Sequence, residues 1–423
     1  MIKVVSEVGR LRSVVIHPPG PAMERMLPEH IDPASPSYLL FDDLVDVRAA
    51  ADEHAQLCDV LASVAEVVPF QRLLADTMED VTRRTSLLDD IAAHEGLSDQ
   101  QAEQLAALDS TALAASLVAG TIGGQVGDEP VFAPAPNLIF TRDLAAVVGQ
   151  TIVVGNANKI ARRRETMLAW SVFEGHPRFA QASIAKSSTR VHEAGGSAPL
   201  TIEGGDVLVI SDEIACIGAS ERTSWAMIIR LATELLSQGL SQVLVVEMPK
   251  QRSSMHLDTV FTLTDRAMGV VYPPLLDAGG SEEAKVLSLS LSDGKTVVAD
   301  GDHHLIDALA AAGHPIQAVM CGGGHPIHAR REQWTDGANY VALGPGVVVG
   351  YARNHRTAVA MGEAGFEVMS PASYLATLSS DFQGDVDALF ESGRRIAVHL
   401  VGSELSRGRG GPRCLTCPIW RDA

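Results

Sequence analysis

Cys414 follows Arg407, Arg409 and Arg413 in the stretch Ser406-Arg407-Gly408-Arg409-Gly410-Gly411-Pro412-Arg413-Cys414-Leu415-Thr416-Cys417-Pro418. Fixed positive charge stabilises a thiolate, and the thiolate is the nucleophilic form of cysteine. Glycines at 408, 410 and 411 allow the loop backbone angles that other residues avoid. A strand is expected to follow, from Leu415 to Trp420. A basic, flexible tail carrying two incidental cysteines is the plainer account of the same residues. What separates the two accounts is whether the rest of the chain supplies partners for a thiol.

It does. His256, in Met255-His256-Leu257-Asp258, can carry a proton. Carboxylates stand in similar settings: Asp143 in Phe140-Thr141-Arg142-Asp143, Glu203 and Asp206 in Glu203-Gly204-Gly205-Asp206, and Asp258 itself. Taken singly, each has an ordinary explanation as a turn residue, a tight turn or a satisfied core histidine, and Arg162-Arg163-Arg164 suits a solvated helix face. Together they form a nucleophile, a proton carrier and several acids. Acids around a thiol select a cation. A guanidinium is planar and permanently charged, and its paired N–H groups match carboxylates. Two acids can hold its edges and set the central carbon over sulfur. Attack on that resonance-stabilised carbon then needs positioning and an acid for the leaving nitrogen. Competing chemistries lack their motifs. There is no His-Glu-x-x-His, no P-loop and no pair of Cys-x-x-Cys motifs. Cys414-x-x-Cys417 has no thioredoxin-like context, and Gly322-Gly323-Gly324-His325 lacks dinucleotide spacing. No metal and no cofactor are expected.

The elements that must position these groups recur. Asp143 precedes two apolar strands within Leu144 to Val154, and Asp206 precedes Val207 to Ile217. Asp258 precedes Thr259 to Tyr272, and Asn339 precedes Tyr340 to Tyr351. Helical spacing returns after the hairpins, as in Ser224 to Gln238 and Thr357 to Gly365. With a hairpin expected from Lys3-Val8 and Leu11-His17, this makes about five modules. If rotation relates them, the residues before each hairpin converge on one axis. Residues 73–120 break the pattern. They read as an all-helical insertion with a capping box at Ser98-Asp99-Gln100-Gln101 and a stop at Gly120. The 423 residues carry a net charge of −19, which disfavours a nucleic-acid partner and suits a small cation. No apolar run reaches the ~18 residues of a membrane helix. The N-terminus lacks a signal-peptide pattern, and five cysteines make no disulfide framework, so a cytoplasmic location is expected.

The chain resembles the arginine deiminases of the guanidino-group modifying superfamily along nearly its whole length. The resemblance is carried in order by Ser6-Glu7-Val8-Gly9-Arg10-Leu11, Leu40-Phe41-Asp42-Asp43, Pro136-Asn137-Leu138-Ile139-Phe140-Thr141-Arg142-Asp143, Arg164-Glu165-Thr166, Ile202-Glu203-Gly204-Gly205-Asp206, Ser220-Glu221-Arg222-Thr223, Met255-His256-Leu257-Asp258-Thr259, Pro345-Gly346-Val347-Val348-Val349-Gly350-Tyr351 and Gly411-Pro412-Arg413-Cys414. It implies an α/β fold, a five-module pseudo-symmetric propeller spanning residues 1–423 with the helical insertion at 73–120. It also implies hydrolysis of L-arginine to citrulline and ammonia. By motif, Cys414 is the nucleophile and His256 the acid and base. Asp143 and Asp258 hold guanidinium nitrogens, and Glu203 pairs with His256 or the substrate. Asn137, Arg162, Arg222 and Arg409 contact the amino-acid end or shape the pocket. The resemblance departs at Cys417, where the family commonly has Met. A homo-oligomer is expected, with arginine as the small-molecule partner.

Overall fold

In the computed structural model, residues 1–188, 200–276, 280–301 and 304–423 are described. All four hairpins expected after residue 140 form, and each gains a parallel third strand. Ala145–Val148 and Thr151–Val154 pair antiparallel, with Ser183–Ile184 parallel to the second. Val207–Val209 and Ile214–Ala219 are joined by Gln242–Glu247. Phe261–Asp265 and Met268–Val271 are joined by Gln317–Met320. Val341–Gly344 and Val347–Tyr351 are joined by Ile396–Leu400. The second strand of each hairpin is buried along its whole length, as expected where both faces of a strand are covered. Val347–Tyr351, for example, is buried throughout.

The hairpin expected from Lys3-Val8 and Leu11-His17 does not form. Lys3 bridges Trp420 and Val4 bridges Gly149. Leu11–Ile16 pairs antiparallel with the C-terminal strand Cys417–Arg421 and parallel with Glu66–Pro69. Gly9 is no hairpin turn, since it lacks the positive φ of such turns. Instead it packs so closely on the chain's other end that a Cβ would lie 2.0 Å from the Asp422 carbonyl. The two termini thus complete a fifth sheet with the same antiparallel-plus-parallel pattern among the described residues.

From Phe70 to Ala119 the chain is helical, as Phe70–Thr77, Val81–Glu95, Asp99–Ala106 and Ser110–Ala119. Ser98 and Gln101 cap each other reciprocally, and Gly120 ends the last helix at φ +77°. Leu74, Ile91, Leu105, Leu113 and Leu117 bury their side chains in the core shared with Leu168 and Phe173. Arg164 fastens this layer to the site's neighbourhood by ion-pairing Glu95 and donating to the Leu117 carbonyl at 3.2 Å. No helix among the described residues is long and apolar enough to cross a membrane.

Candidate active site

A single helical turn, Thr141–Leu144, delivers Asp143 at the start of its hairpin. Thr141 Oγ1 lies 3.1 Å from the carbonyls of both Val15 and Leu415, and the Arg142 N–H donates to the Cys414 carbonyl at 3.1 Å. The Asp143 turn and the Cys414 loop are therefore tied directly to each other. Glu203 projects from the extended residue before Gly204. A Cβ on Gly204 would lie 2.1 Å from the Arg142 carbonyl, and one on Gly205 2.9 Å from the His256 ring. The glycines are there because backbone and imidazole fill the space that side chains would need.

His256 Nε2 sits 2.9 Å from Glu203 Oε2, and Nδ1 lies 3.7 Å from Asp143 Oδ1. Burial works against the imidazolium, but Asp143, the Glu203 hydrogen bond and Asp206 outweigh it and raise the pKa to about 9. At neutral pH this histidine is a proton donor. Glu203 is held well below the ordinary carboxylate range. Its burial would raise the pKa, and Arg222, Arg162 and His256 more than reverse that. Asp206 has a different task. Its Oδ2 accepts from Ser220 and Thr223, both at 2.6 Å, and its Oδ1 from the Leu257 N–H at 2.9 Å. It braces the histidine loop rather than lining the cleft.

Cys414 Sγ lies 3.8 Å from Asp258 Oδ2, which also accepts from Arg413 Nη1 at 2.8 Å. Burial pushes the thiol well above its ordinary pKa, with Asp258, Asp336 and Asp143 adding to the shift. Arg413 does not relieve it, because that guanidinium is committed to Asp258 and to both oxygens of Glu7. Cys417 lies in the final strand, its thiol 3.3 Å from the Ala145 carbonyl, and both cysteines are free thiols.

The arginines divide by task. Arg162 is the surprise. Expected at the amino-acid end of a substrate, it lies among acids, with Nη1 at 2.6 Å from Asp143 and 3.0 Å from Glu203, and Nε at 2.9 Å from Glu165. Its Nη2 donates to the Asn137 carbonyl at 3.3 Å. Arg222 Nη1 is 3.3 Å from both Glu203 oxygens. Arg409 takes φ +65°, stacks 3.9 Å over the Trp334 ring and donates to the Trp334 carbonyl at 3.0 Å. The Asn137 side chain donates to the Leu39 carbonyl at 2.9 Å.

Asn137, Asp143, Arg162, Arg222, His256, Arg409 and Cys414 all line one narrow cleft. Glu203 and Asp258 stand behind that lining. Several buried polar atoms here have no hydrogen-bond partner among the described residues: Asp143 Oδ1 and Asp258 Oδ1, which accept, and Arg222 Nε and Arg409 Nε, which donate. In proteins generally, buried polar groups are almost always paired. Three contributors were given no role at the site from the sequence. Glu7 anchors Arg413 and is held at about 2, since Arg413 and Arg142 outweigh its burial. Asp336, at φ +62°, is raised to about 7 by burial despite Arg409. Asn339 stands before the fourth hairpin as Asp143, Asp206 and Asp258 stand before theirs, and that position was its signal. Asp143, Glu203 and His256 are close enough to share a metal ion. Arg162 and the imidazolium already neutralise their charge, so this donor set does not fit a resident cation.

These features define a thiol–imidazole–carboxylate site on the fold of guanidino-modifying enzymes. That fold is shared with the amidinotransferase SxtG from Microseira wollei (TM-score 0.55, 13% identity, covering 100% of this chain and 98% of that one). It is also shared with the N-terminal domain of the cyanobacterial arginine dihydrolase ArgZ (TM-score 0.52, 12% identity, covering 97% and 98%). Residues 123–421 match the family model described as "Arginine deiminase". The chain is 32% identical to the arginine deiminase of Listeria monocytogenes serotype 4a over 100% of its length and 98% of that protein's. With the arginine deiminase of Mycoplasma capricolum it shares 33% identity over 100% and 97% of the two chains. The chain belongs to the arginine deiminase family.

Proposed function

We propose that the protein hydrolyses free L-arginine to L-citrulline and ammonia through a covalent amidino-cysteine intermediate. The observation that carries this reading is the set of unpaired atoms in the cleft and directly behind it. Two buried acceptors, on Asp143 and Asp258, call for a donor such as a guanidinium. Two buried donors, on Arg222 and Arg409, call for an α-carboxylate. Membership of the deiminase family points the same way.

Arginine enters with its guanidinium between Asp143 and Asp258, displacing Arg162 from Asp143. Arg162 then joins Arg222, Arg409 and Asn137 at the amino-acid end. The substrate's positive charge opposes the acids that keep Cys414 protonated, and the thiol releases its proton to solvent and becomes the thiolate. Sulfur bonds to the guanidinium carbon and gives a tetrahedral adduct. The His256 imidazolium donates its proton to the leaving nitrogen, the C–N bond breaks and ammonia departs, leaving a cationic amidino-thioether. Neutral His256, oriented by Glu203, takes a proton from water, and the oxygen bonds to the same carbon. The C–S bond then breaks, the hydroxyl proton leaves to solvent, and citrulline, thiolate and imidazolium result.

We read residues 1–423 as one catalytic domain, a five-module pseudo-symmetric α/β propeller with residues 73–120 as a helical insertion. What supports this is the shared strand pattern of the five sheets among the described residues. A cytoplasmic location, which the five unpaired cysteines suit, and a homo-oligomeric state belong to the same reading.

The test is release of citrulline and ammonia from arginine, with EDTA and no amine acceptor present. A requirement for an acceptor such as glycine would make the protein an amidinotransferase. Binding without turnover would make it an arginine sensor.

A further inference from the structure

Asn339 is wholly buried and touches both halves of the proposed machinery. Its Oδ1 accepts the Arg413 N–H at 3.0 Å and the Cys414 N–H at 3.2 Å. Its Nδ2 donates to the Asp258 carbonyl at 2.9 Å. The amide has one workable orientation, since a flip would set N–H against N–H and oxygen against oxygen. The fit is tight: a Cβ on Gly411 would lie 2.5 Å from Asn339 Oδ1, so the cysteine loop rests directly on this carboxamide. The residues just before it reinforce the link. Gln333 Nε2 donates to the Ser253 carbonyl at 2.6 Å and the Thr259 carbonyl at 3.2 Å, clasping both flanks of the histidine loop.

We propose that Asn339 is a positioning residue that locks the Cys414 backbone to the Asp258 backbone. It thereby fixes the thiol against the acid and under the reacting carbon. Among the described residues, no other side chain bonds to the backbone N–H of Cys414. With the lock removed, the cysteine loop and the acid shift relative to each other. A displacement of about 1 Å at a reacting centre costs on the order of 100-fold in rate. This role rests on the deiminase reading for its kinetic consequence, but the lock itself has a readout that needs no arginine.

Asn339→Asp supplies that readout. The new carboxyl keeps the shape of the amide. Protonated, it donates to the Asp258 carbonyl as Asn339 does; ionised, it repels that carbonyl and adds negative charge beside Cys414. The variants Asn339→Asp, Asn339→Ala and Asn339→Ser are compared with wild type by thermal melting, by kcat and KM for arginine, and by the pH dependence of Cys414 alkylation with iodoacetamide, read by peptide mass. In Asn339→Ala, kcat is expected to fall about 100-fold with KM within about threefold of wild type. Asn339→Asp should approach wild type at the acid end of the profile and lose kcat as pH rises through a range where wild type is flat. Over that range its Cys414 alkylation should become slower than wild type. Wild-type alkylation profiles in all three variants would overturn the proposal even if the protein proved not to be a deiminase. An equal rise in KM with unchanged kcat would also overturn it, as would loss of the melting transition in all three variants. A wild type that releases no citrulline would refute the deiminase reading and leave the alkylation comparison decisive for Asn339.

Discussion

Arg162 Nη1 lies 2.6 Å from Asp143 Oδ2, so a guanidinium of the protein's own already occupies part of the place proposed for the substrate's. Glu203, Glu165 and the Asn137 carbonyl complete its surroundings. Burial opposes the charge on Arg162, yet Glu165, Glu203 and Asp143 together hold it more firmly protonated than a free arginine.

Arg162→Ala should therefore change two affinities in opposite directions. Arginine should lose a contact to its carboxylate, lowering kcat/KM by roughly 10-fold or more. Free guanidinium should inhibit the variant more strongly than wild type, because Asp143 Oδ2 loses the guanidinium it is bonded to, while Glu203 keeps Arg222 and His256. The protein should also lose about 3–5 kcal/mol of stability, since stranded buried acids are costly. Inhibition constants for guanidinium chloride, measured with melting curves at sub-denaturing concentration, provide the check. Equal inhibition of both proteins would remove the displacement step.

The pH dependence follows from His256. Its folded pKa is raised from 6.5 to about 9. The imidazolium's contribution to stability is then complete below about 6.5 and is lost as pH rises through about 9. Activity should show an alkaline limb in the same region, where the proton donor disappears. The opposite case is met at His17 and His54, which burial keeps neutral and lowers to about 4. They contribute stability above about 6.5 that is lost as pH falls toward 4. Melting temperature and initial rate, followed from pH 4 to pH 10, read all three groups. An alkaline fall in melting temperature that persists in His256→Gln would dissociate it from this histidine.

Cys414 should be a poor nucleophile in the empty enzyme, since burial and three acids hold its proton. Iodoacetamide should alkylate it slowly at neutral pH and faster when an unreactive cationic analogue leaves the sulfur accessible. Cys417, directed at the Ala145 carbonyl inside the last strand, is expected to play no redox part. Wild type and Cys417→Met should therefore lose activity to mild peroxide, and recover it with dithiothreitol, to the same degree. Faster alkylation of the empty enzyme than of the analogue complex would contradict the account of thiol ionisation.

How much of this was legible in the sequence depends on how local the signal was. The hairpins after Asp143, Asp206 and Asp258 were readable because period-2 apolar runs and their turns lie within about a dozen residues. The Ser98 capping box is equally local. The N-terminal hairpin misled, because Leu11–Ile16 finds its antiparallel partner at Cys417–Arg421, and nothing within one window encodes a contact across the whole chain. At the site, residue types were legible and directions were not. Arg162 was readable as a cation near the cleft, but its turn toward Asp143 and Glu203 depends on helix Arg163–Gly175 packing. Glu7, which secures Arg413 from the far end of the chain, carried no sign of that task.

Agmatine, arginine without its carboxylate, tests the outer half of the cleft. Arg222 Nε and Arg409 Nε have no partner there, and a charge-assisted hydrogen bond is worth about 1.5–3 kcal/mol. Agmatine should therefore show a kcat/KM at least about 10-fold below that of arginine. Peptidyl arginine should be disfavoured for the same reason. Equal values would take the carboxylate clamp out of the account.

The most direct measurement is the intact mass of enzyme quenched during turnover of arginine, with the modified peptide mapped. Wild type should carry the amidino adduct on Cys414; His256→Ala should form it slowly, for want of the proton donor, and then stall on it, because the water that clears it is no longer deprotonated. Cys414→Ala should bind arginine, carry no adduct and release no citrulline. Citrulline formed by Cys414→Ala, or an adduct mapped to any other residue, would contradict the assignment of Cys414 as the nucleophile.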